Sequence, residues 1–169
     1  MKGESVGKIL GGLSRVRFSG LRDANGPAGD IPSLLSKAAW GDVESSRVAL
    51  DEISDRICSL GFVVSEATAP TVPFILELAG SPQMQCKVEV LELLLKIYNA
   101  EQWSSAAEAA RPEHKRNYES QVCWESMAHA AVLSGRHVVE ALILSSDQAV
   151  AQAARALLSA FDGRDEGAG

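Results

Sequence analysis

Apolar residues recur along this chain in short runs that predict pairs of helices. Three such runs, at residues 31–35, 72–78 and 138–143, each open a helix, and a second apolar run with helical spacing follows each of them. Apolar positions three and four residues apart place a single apolar stripe along a helix. The first two runs begin 72 − 31 = 41 residues apart. The pattern therefore predicts an all-α protein of about three helix pairs, with six to eight helices in total.

Turn-forming residues between the runs set the expected bounds of the helices. In chain order, the predicted helices cover residues 31–39, 43–60, 66 or 68 to 80, 84–99, 138–144 and 150–161. Asp30, Asp42 and Asp147 each precede a helix, where an Asp side chain can accept a backbone N–H as an N-cap. Pro73 lies inside the third helix and is expected to kink it, because proline removes a helical hydrogen bond.

Two segments depart from this regular pattern. The second and third opening runs begin 138 − 72 = 66 residues apart, which predicts an insertion at about residues 100–115. The insertion is expected to hold a short helix over 103–110, and a long helix is expected from Arg111 to Leu133. Residues 62–64 are apolar and β-branched in part, but they are too short to form a sheet alone, so we predict a loop there.

Charge is distributed unevenly along the 169 residues. Residues 1–22 carry five basic and one acidic side chain, 5 − 1 = +4, so the rest of the chain carries −6 − 4 = −10. We predict a flexible basic leader over residues 1–29, one helical domain over 30–162 and a frayed tail over 163–169. An acidic body repels nucleic acid and attracts a basic protein surface.

The sequence offers few groups for chemistry. The three cysteines and three histidines show no spacing typical of a compact metal site, and no nucleophile or nucleotide-binding motif is present. Cys58, Cys86 and Cys123 are expected to be buried reduced thiols, and Trp40 and Trp124 are expected to pack inside. No apolar run reaches the ~18 residues that a membrane span needs. We therefore expect a cytoplasmic, non-catalytic protein with no cofactor, no metal, no nucleic acid and no membrane partner.

Several short phrases resemble those of bacterial HEAT-like, armadillo-type repeat proteins. The matching phrases are Asp30-Ile31-Pro32-x-Leu34-Leu35, Arg47-x-Ala49-Leu50-x-x-Ile53, Cys58-x-x-Gly61, Ser65-x-Ala67-x-Ala69-x-x-Val72-Pro73-Phe74-Ile75-Leu76-Glu77-Leu78 and Asp147-x-x-Val150-x-x-Ala153-Ala154-x-x-Leu157-Leu158. The resemblance covers about residues 25–161 and implies a right-handed α-solenoid without catalytic residues. The chain differs from the longer members of that group by having about three units and an enlarged middle.

In solenoids the second helix of each pair lines the concave side, which places a candidate binding face on this chain. The predicted partner-binding residues are Arg47, Asp51, Asp55, Glu89, Glu92, Lys96 and Trp103. We expect this face to bind a protein partner, and the most specific hypothesis is an immunity protein that blocks a basic, secreted bacterial toxin. The alternatives are a HEAT-like enzyme, such as a DNA glycosylase or a lyase, and a self-associating scaffold.

Overall fold

The chain folds mainly into α-helices. A computed structural model describes the backbone of residues 9–167 and the side chains of residues 9–163. The α-helices are α1 (Ile31–Trp40), α2 (Val43–Ile57), α3 (Thr68–Gly80), α4 (Lys87–Asn99), α5 (Gln102–Ala109), α6 (Glu119–Leu133), α7 (Arg136–Leu142) and α8 (Gln148–Gly167). Short 3-10 helices lie at Leu13–Arg15, Phe18–Gly20 and Pro112–Tyr118. The helical fold class and the first four helices agree with the apolar pattern.

The helix ends are defined by local side-chain chemistry. Asp42 caps α2 as predicted, because its Oδ1 accepts the backbone N–H of Ser45 at 2.8 Å. Asp147 likewise accepts the N–H groups of Ala149 and Val150 at 2.9 and 3.4 Å at the start of α8. Asp30 precedes α1 but makes no capping hydrogen bond. Its carboxyl instead lies 3.6 Å from the Arg56 guanidinium.

Helices α3 and α4 form the centre of the packing. Helix α1 packs on α2, α3 packs on α4, and α7 packs on α8. Helix α3 also contacts α1, α6 and α7, while α4 contacts α2, α6 and α8. The central pair contributes side chains with no solvent exposure, including Val72, Ile75, Leu78, Leu94 and Ile97. The core therefore continues from the first helix pair to the last.

Residues 58–64 form a β-hairpin instead of a helix end and a loop. Strands β3 (Cys58–Ser59) and β4 (Val63–Val64) pair antiparallel, with Cys58 opposite Val64. Helix α2 ends at Ile57, since Cys58 leaves helical geometry with a φ of −144°. The positive φ values of Leu60 and Gly61, 59° and 85°, then reverse the chain. The predictions of a helix to Leu60 and of a loop over 62–64 were therefore wrong in detail.

Residues 9–29 pack against the helices and do not form the flexible leader that the sequence predicted. Strands β1 (Arg22–Asp23) and β2 (Gly26–Pro27) pair antiparallel within this segment. Phe18 is 2% exposed and its ring centre lies 6.2 Å from that of Phe74. Asp23 is buried beside Arg56, with an Oδ2–Nη1 distance of 3.3 Å. Residues 1–8 of the predicted leader lie outside the described residues.

The second half of the chain also corrects several expected bounds. Helix α4 begins at Lys87 rather than at residue 84, and a 3-10 helix at Pro112–Tyr118 replaces the first part of the long helix predicted from Arg111. Helix α8 continues to Gly167, through most of the tail predicted to fray, and residues 168–169 lie outside the described part.

Two predictions about buried side chains were wrong. Cys58 and Cys86 are buried free thiols, but Cys123 is exposed on α6. Trp40 is 51% exposed at the end of α1, whereas Trp124 packs against the core as expected.

Candidate functional site

The second helices of the three pairs, α2, α4 and α8, lie side by side. Arg47 in the first turns of α2 lies 3.8 Å from Glu89 in the first turn of α4. Lys96, in the last turn of α4, acts electrostatically on Cys58, which directly follows α2. Neighbouring starts and neighbouring ends show that α2 and α4 run in the same direction.

Helices α4 and α8 also run in the same direction. One groove is lined by Val88 to Leu95 of α4 and by Ala149 to Ala156 of α8. Beyond this groove, the ring centres of Tyr98 and Phe161 lie 4.8 Å apart in an edge-to-face arrangement. The three second helices therefore present one continuous surface.

Six of the seven predicted contact residues lie on this surface. Asp51, Asp55, Glu92 and Lys96 are exposed, and the side chains of Arg47 and Glu89 are 48% and 35% exposed. We call this surface the second-helix face: Glu44, Arg47, Asp51 and Asp55 of α2, Glu89, Glu92 and Lys96 of α4, and the groove between α4 and α8. Its seven charged side chains give a formal charge of 2 − 5 = −3.

The ion pairs on the second-helix face are weak. Arg47 lies 3.7 Å from Glu44 and 3.8 Å from Glu89, and all three side chains are partly exposed. Exposed pairs of this kind contribute about 0–1 kcal/mol to stability. These charges therefore do little to hold the fold together.

Trp103 does not lie on the second-helix face. Its indole Nε1 donates to the carbonyl oxygen of Val64 at 2.8 Å, and its backbone N–H donates to Glu125 Oε2 at 2.7 Å. The ring is half-buried against the core. The geometry therefore gives Trp103 a role in attaching the insertion to the β3–β4 hairpin, and it does not favour the predicted partner contact.

Glu125 is a buried acidic residue that the sequence analysis did not single out. It is 1% exposed, and its Oε1 accepts both the backbone N–H and the hydroxyl of Ser104, at 3.0 and 2.6 Å. Together with Trp103, these contacts occupy both carboxyl oxygens at the N-terminal end of α5. Glu125 is therefore a structural cap for α5, and a lone acidic residue among the apolar positions of α6 was the signal that could have identified it.

The groove between α4 and α8 was also missed. It has a volume of about 360 Å³ and is lined by Val88, Leu91, Glu92, Leu95, Ala149, Gln152, Ala153 and Ala156. The alanines at 149, 153 and 156 follow helical spacing along one side of α8. Small residues at that spacing were the sequence signal for a shallow channel beside α4.

A larger groove lies on the other helix layer, between α3 and the α6–α7 junction. Its volume is about 1040 Å³, and its walls include Pro73, Leu76 and Val138. The α6–α7 junction approaches α3 closely at Gly135, where an added Cβ would lie 2.3 Å from Leu76 Cδ2. Glu77, the one acidic residue in its lining, accepts the backbone N–H of Leu10 at 3.2 Å.

Burial and hydrogen bonding shift three side-chain pKa values near the second helices. Burial raises the pKa of the Cys58 thiol to about 11, although the charge of Lys96 acts in the opposite direction. Desolvation lowers the pKa of Lys87, and the hydrogen bonds from Ser45 lower the pKa of Asp42. A thiol with a raised pKa stays protonated at neutral pH and is a poor nucleophile.

Comparison with models of protein families, with curated proteins and with solved structures finds no match for this chain. The resemblance to HEAT-like repeat proteins therefore stays a prediction. Within residues 9–167, no helix has the length and apolar character required to cross a membrane. Among the side chains of residues 9–163, no three His, Cys, Asp or Glu groups come together as metal ligands would.

Proposed function

We propose that this chain is a non-catalytic protein-binding module whose second-helix face receives a basic surface of a partner protein. The observation that carries this proposal is the combination, on one continuous surface, of a formal charge of −3 with an apolar groove of about 360 Å³. Apolar area supplies affinity on association, and complementary charge steers the encounter and selects the partner.

The packing of the helix pairs supports the solenoid architecture that belongs to this proposal. Helices α1–α2, α3–α4 and α7–α8 pack as pairs, and α3 and α4 contact both neighbouring pairs. Parallel second helices are what stacked repeats produce, since each unit repeats the path of the one before it. We propose a right-handed α-solenoid of three HEAT-like units, in which α5, α6 and the intervening 3-10 helix enlarge the junction between the second and third units.

The most specific form of the proposal is an immunity protein that binds and blocks a secreted bacterial toxin in the cytoplasm. The charge of the second-helix face supports it, because a basic toxin domain would be attracted over the Debye length of about 8–10 Å. Deleting the gene should sensitise the producing strain to a toxin from sister cells. A deletion strain that stays fully protected would contradict the immunity role while leaving the binding module intact.

The DNA glycosylase alternative gains no support from the second-helix face. A DNA glycosylase needs a positive groove to hold the phosphate backbone, whereas this face has a formal charge of −3. A self-associating scaffold would show a mass that rises with its own concentration in light scattering. A protein-binding module would instead show the mass of a heteromeric complex when it is mixed with the captured partner.

The test of the binding proposal begins with the partner captured from the native host. Its affinity should be measured for the wild type and for Asp51→Lys/Asp55→Lys, which reverses two exposed charges of α2. The matched control is Glu108→Lys/Glu113→Lys, which makes the same charge change at exposed positions of the insertion.

The two variants should behave differently towards the same partner. The α2 variant should lose at least tenfold in affinity, mainly through a slower association rate that becomes less sensitive to salt, and the control should bind like the wild type. Equal binding by all three proteins would refute recognition through the charges of α2, and failure to capture any partner would refute the proposed function.

A further inference from the structure

The groove between α4 and α8 has the dimensions of a short helical ligand. Val88 and Leu95 mark its ends on α4, and Ala149 and Ala156 mark them on α8. Seven helical residues rise about 10 Å, so the two parallel helices flank a groove about two turns long. An incoming helix that presents side chains at positions i, i+4 and i+7 covers the same length on one face.

The chemistry of the walls favours a helix over an extended segment. The lining is aliphatic except for Glu92 and Gln152, and the backbone groups of both wall helices already form helical hydrogen bonds. An extended chain pressed into this channel would bury backbone N–H and C=O groups without partners, which is costly. A helix satisfies its own backbone groups and brings only side chains to the channel.

Charge sets the position of basic residues on that helix. Glu92 is the one ionisable residue that lines the groove. Glu89 lies on the side of α4 that faces α2, where its carboxyl is 3.8 Å from Arg47. Lys96 lies one turn beyond Glu92 and would repel a second cation. A lysine or arginine of the ligand is therefore expected beside Glu89 and Glu92, and not at the Lys96 end of the channel.

We infer that the second-helix face recognises an amphipathic helix of its partner, which places two or three aliphatic side chains in the α4–α8 groove and one lysine or arginine beside Glu92. This inference rests on the proposed function and adds the conformation and chemistry of the recognised element. Helix-in-groove recognition of this kind takes its affinity from the apolar anchors and its orientation from the flanking charge.

The probe that tests the inference is a displayed library of 18-residue helical peptides, selected on the wild-type protein. Selected peptides should carry aliphatic or aromatic residues at i, i+3 or i+4, and i+7, with a flanking lysine or arginine. Their affinity should fall at least tenfold for Ala156→Trp, which fills the groove from an exposed position. It should also fall for Glu92→Lys. The matched control is Ala109→Trp, at an exposed alanine of α5, which should bind like the wild type.

Folding of each variant is checked by circular dichroism and thermal melting. If Ala156→Trp is misfolded, Ala149→Trp blocks the opposite end of the same channel from another exposed position. Selected peptides that lack a helical period, that contain proline at their centre, or that bind the groove variants as tightly as the wild type would overturn the inference. An empty selection would also overturn it.

Applying the same variants to the captured partner separates the two proposals. Binding lost in Asp51→Lys/Asp55→Lys but kept in Ala156→Trp would preserve the binding module and refute the helix in the groove. Binding lost in Ala156→Trp but kept in the charge variant would preserve the groove and refute steering by α2. Binding unchanged in both variants would refute both proposals.

Discussion

The central helix pair and the insertion are held in place by different forces. Helices α3 and α4 bury apolar side chains along most of their length, and Ile75, Leu78, Leu94 and Ile97 have no solvent exposure. Helix α5 and the 3-10 helix at Pro112–Tyr118 have no buried residues. The insertion is instead attached by polar contacts, from the indole of Trp103 and to the carboxyl of Glu125, together with the half-buried Trp103 ring.

This difference explains which regions a sequence pattern can reveal. Burial of apolar area is non-directional and leaves a periodic signature in the sequence. The hydrogen bonds that hold α5 join residues 22 and 39 positions apart, and they leave no such signature. We therefore expect mutations in the central pair to unfold the whole domain and mutations in the insertion to act locally.

The largest effect is expected from Leu94→Ala at the centre of α4. Leu94 is fully buried, so the substitution removes apolar contacts and leaves a cavity, which costs about 2–5 kcal/mol of the free energy of unfolding. Urea denaturation measures the loss. Leu144→Ala, at a side chain that is 83% exposed, is the matched control and should change stability by less than about 0.5 kcal/mol. A loss below about 1 kcal/mol for Leu94→Ala would contradict the central position of α4.

Glu125→Ala should destabilise the insertion by about 1–3 kcal/mol, because it removes the acceptor of three part-buried hydrogen bonds from Trp103 and Ser104. The substitution should raise hydrogen exchange in α5, while the amides of α3 and α4 stay protected. Glu125→Gln keeps an acceptor oxygen and should lose much less. If the amides of α4 exchange as fast as those of α5 in Glu125→Ala, the insertion and the central pair unfold as one unit. That result would contradict the difference between the two regions.

Alkaline pH should weaken the β3–β4 hairpin, which connects α2 to α3 and accepts the indole N–H of Trp103. The pKa of Cys58 is raised from its ordinary 9.0 to about 11 by burial. The folded state therefore keeps the proton that the unfolded state loses above pH 9. This stabilisation is complete below pH 9 and disappears as pH rises through about 11. Between pH 8 and 10, the wild type should lose about 1 kcal/mol more stability than Cys58→Ala, in which this titration is absent.

The comparison of the two proteins across that pH range cancels the titration of lysines and tyrosines. Parallel stability curves for the wild type and Cys58→Ala would show that the thiol is not buried as described.

Trp103→Phe should have the smallest effect, about 1 kcal/mol, because it removes one hydrogen bond to the Val64 carbonyl and keeps most of the ring packing. Denaturation of the variant measures the loss, and exchange of the α5 amides localises it. Trp40→Phe, at an exposed ring, serves as the control and should be neutral. A neutral Trp103→Phe that instead weakens partner binding would restore Trp103 as a contact residue.

Much of the fold could be predicted from the sequence, but only where apolar burial and helix capping determine the local structure. The apolar period and the capping side chains of Asp42 and Asp147 were sufficient for the helix pairs. The hairpin at residues 58–64 was missed because it depends on the positive φ values of Leu60 and Gly61. Packing of residues 9–29 was missed because Phe18 meets a residue 56 positions away, at Phe74.

The candidate site was predictable to a similar extent. Exposed charges at helical spacing placed Arg47, Asp51 and Glu92 on adjacent helices. The groove beside them depends on the distance between α4 and α8, which no local pattern encodes. The position of Trp103 away from this face could not be foreseen, because residue type alone does not show whether an indole N–H already has an acceptor.

The most direct test of the account is the set of methyl groups whose nuclear magnetic resonance signals shift when the captured partner binds. Methyls of Val88, Leu95, Ala153 and Ala156, which line the α4–α8 groove, should shift strongly, with weaker effects beyond the second-helix face. Shifts confined to Leu76, Ala131 and Val138, which line the larger groove on the other helix layer, would contradict it.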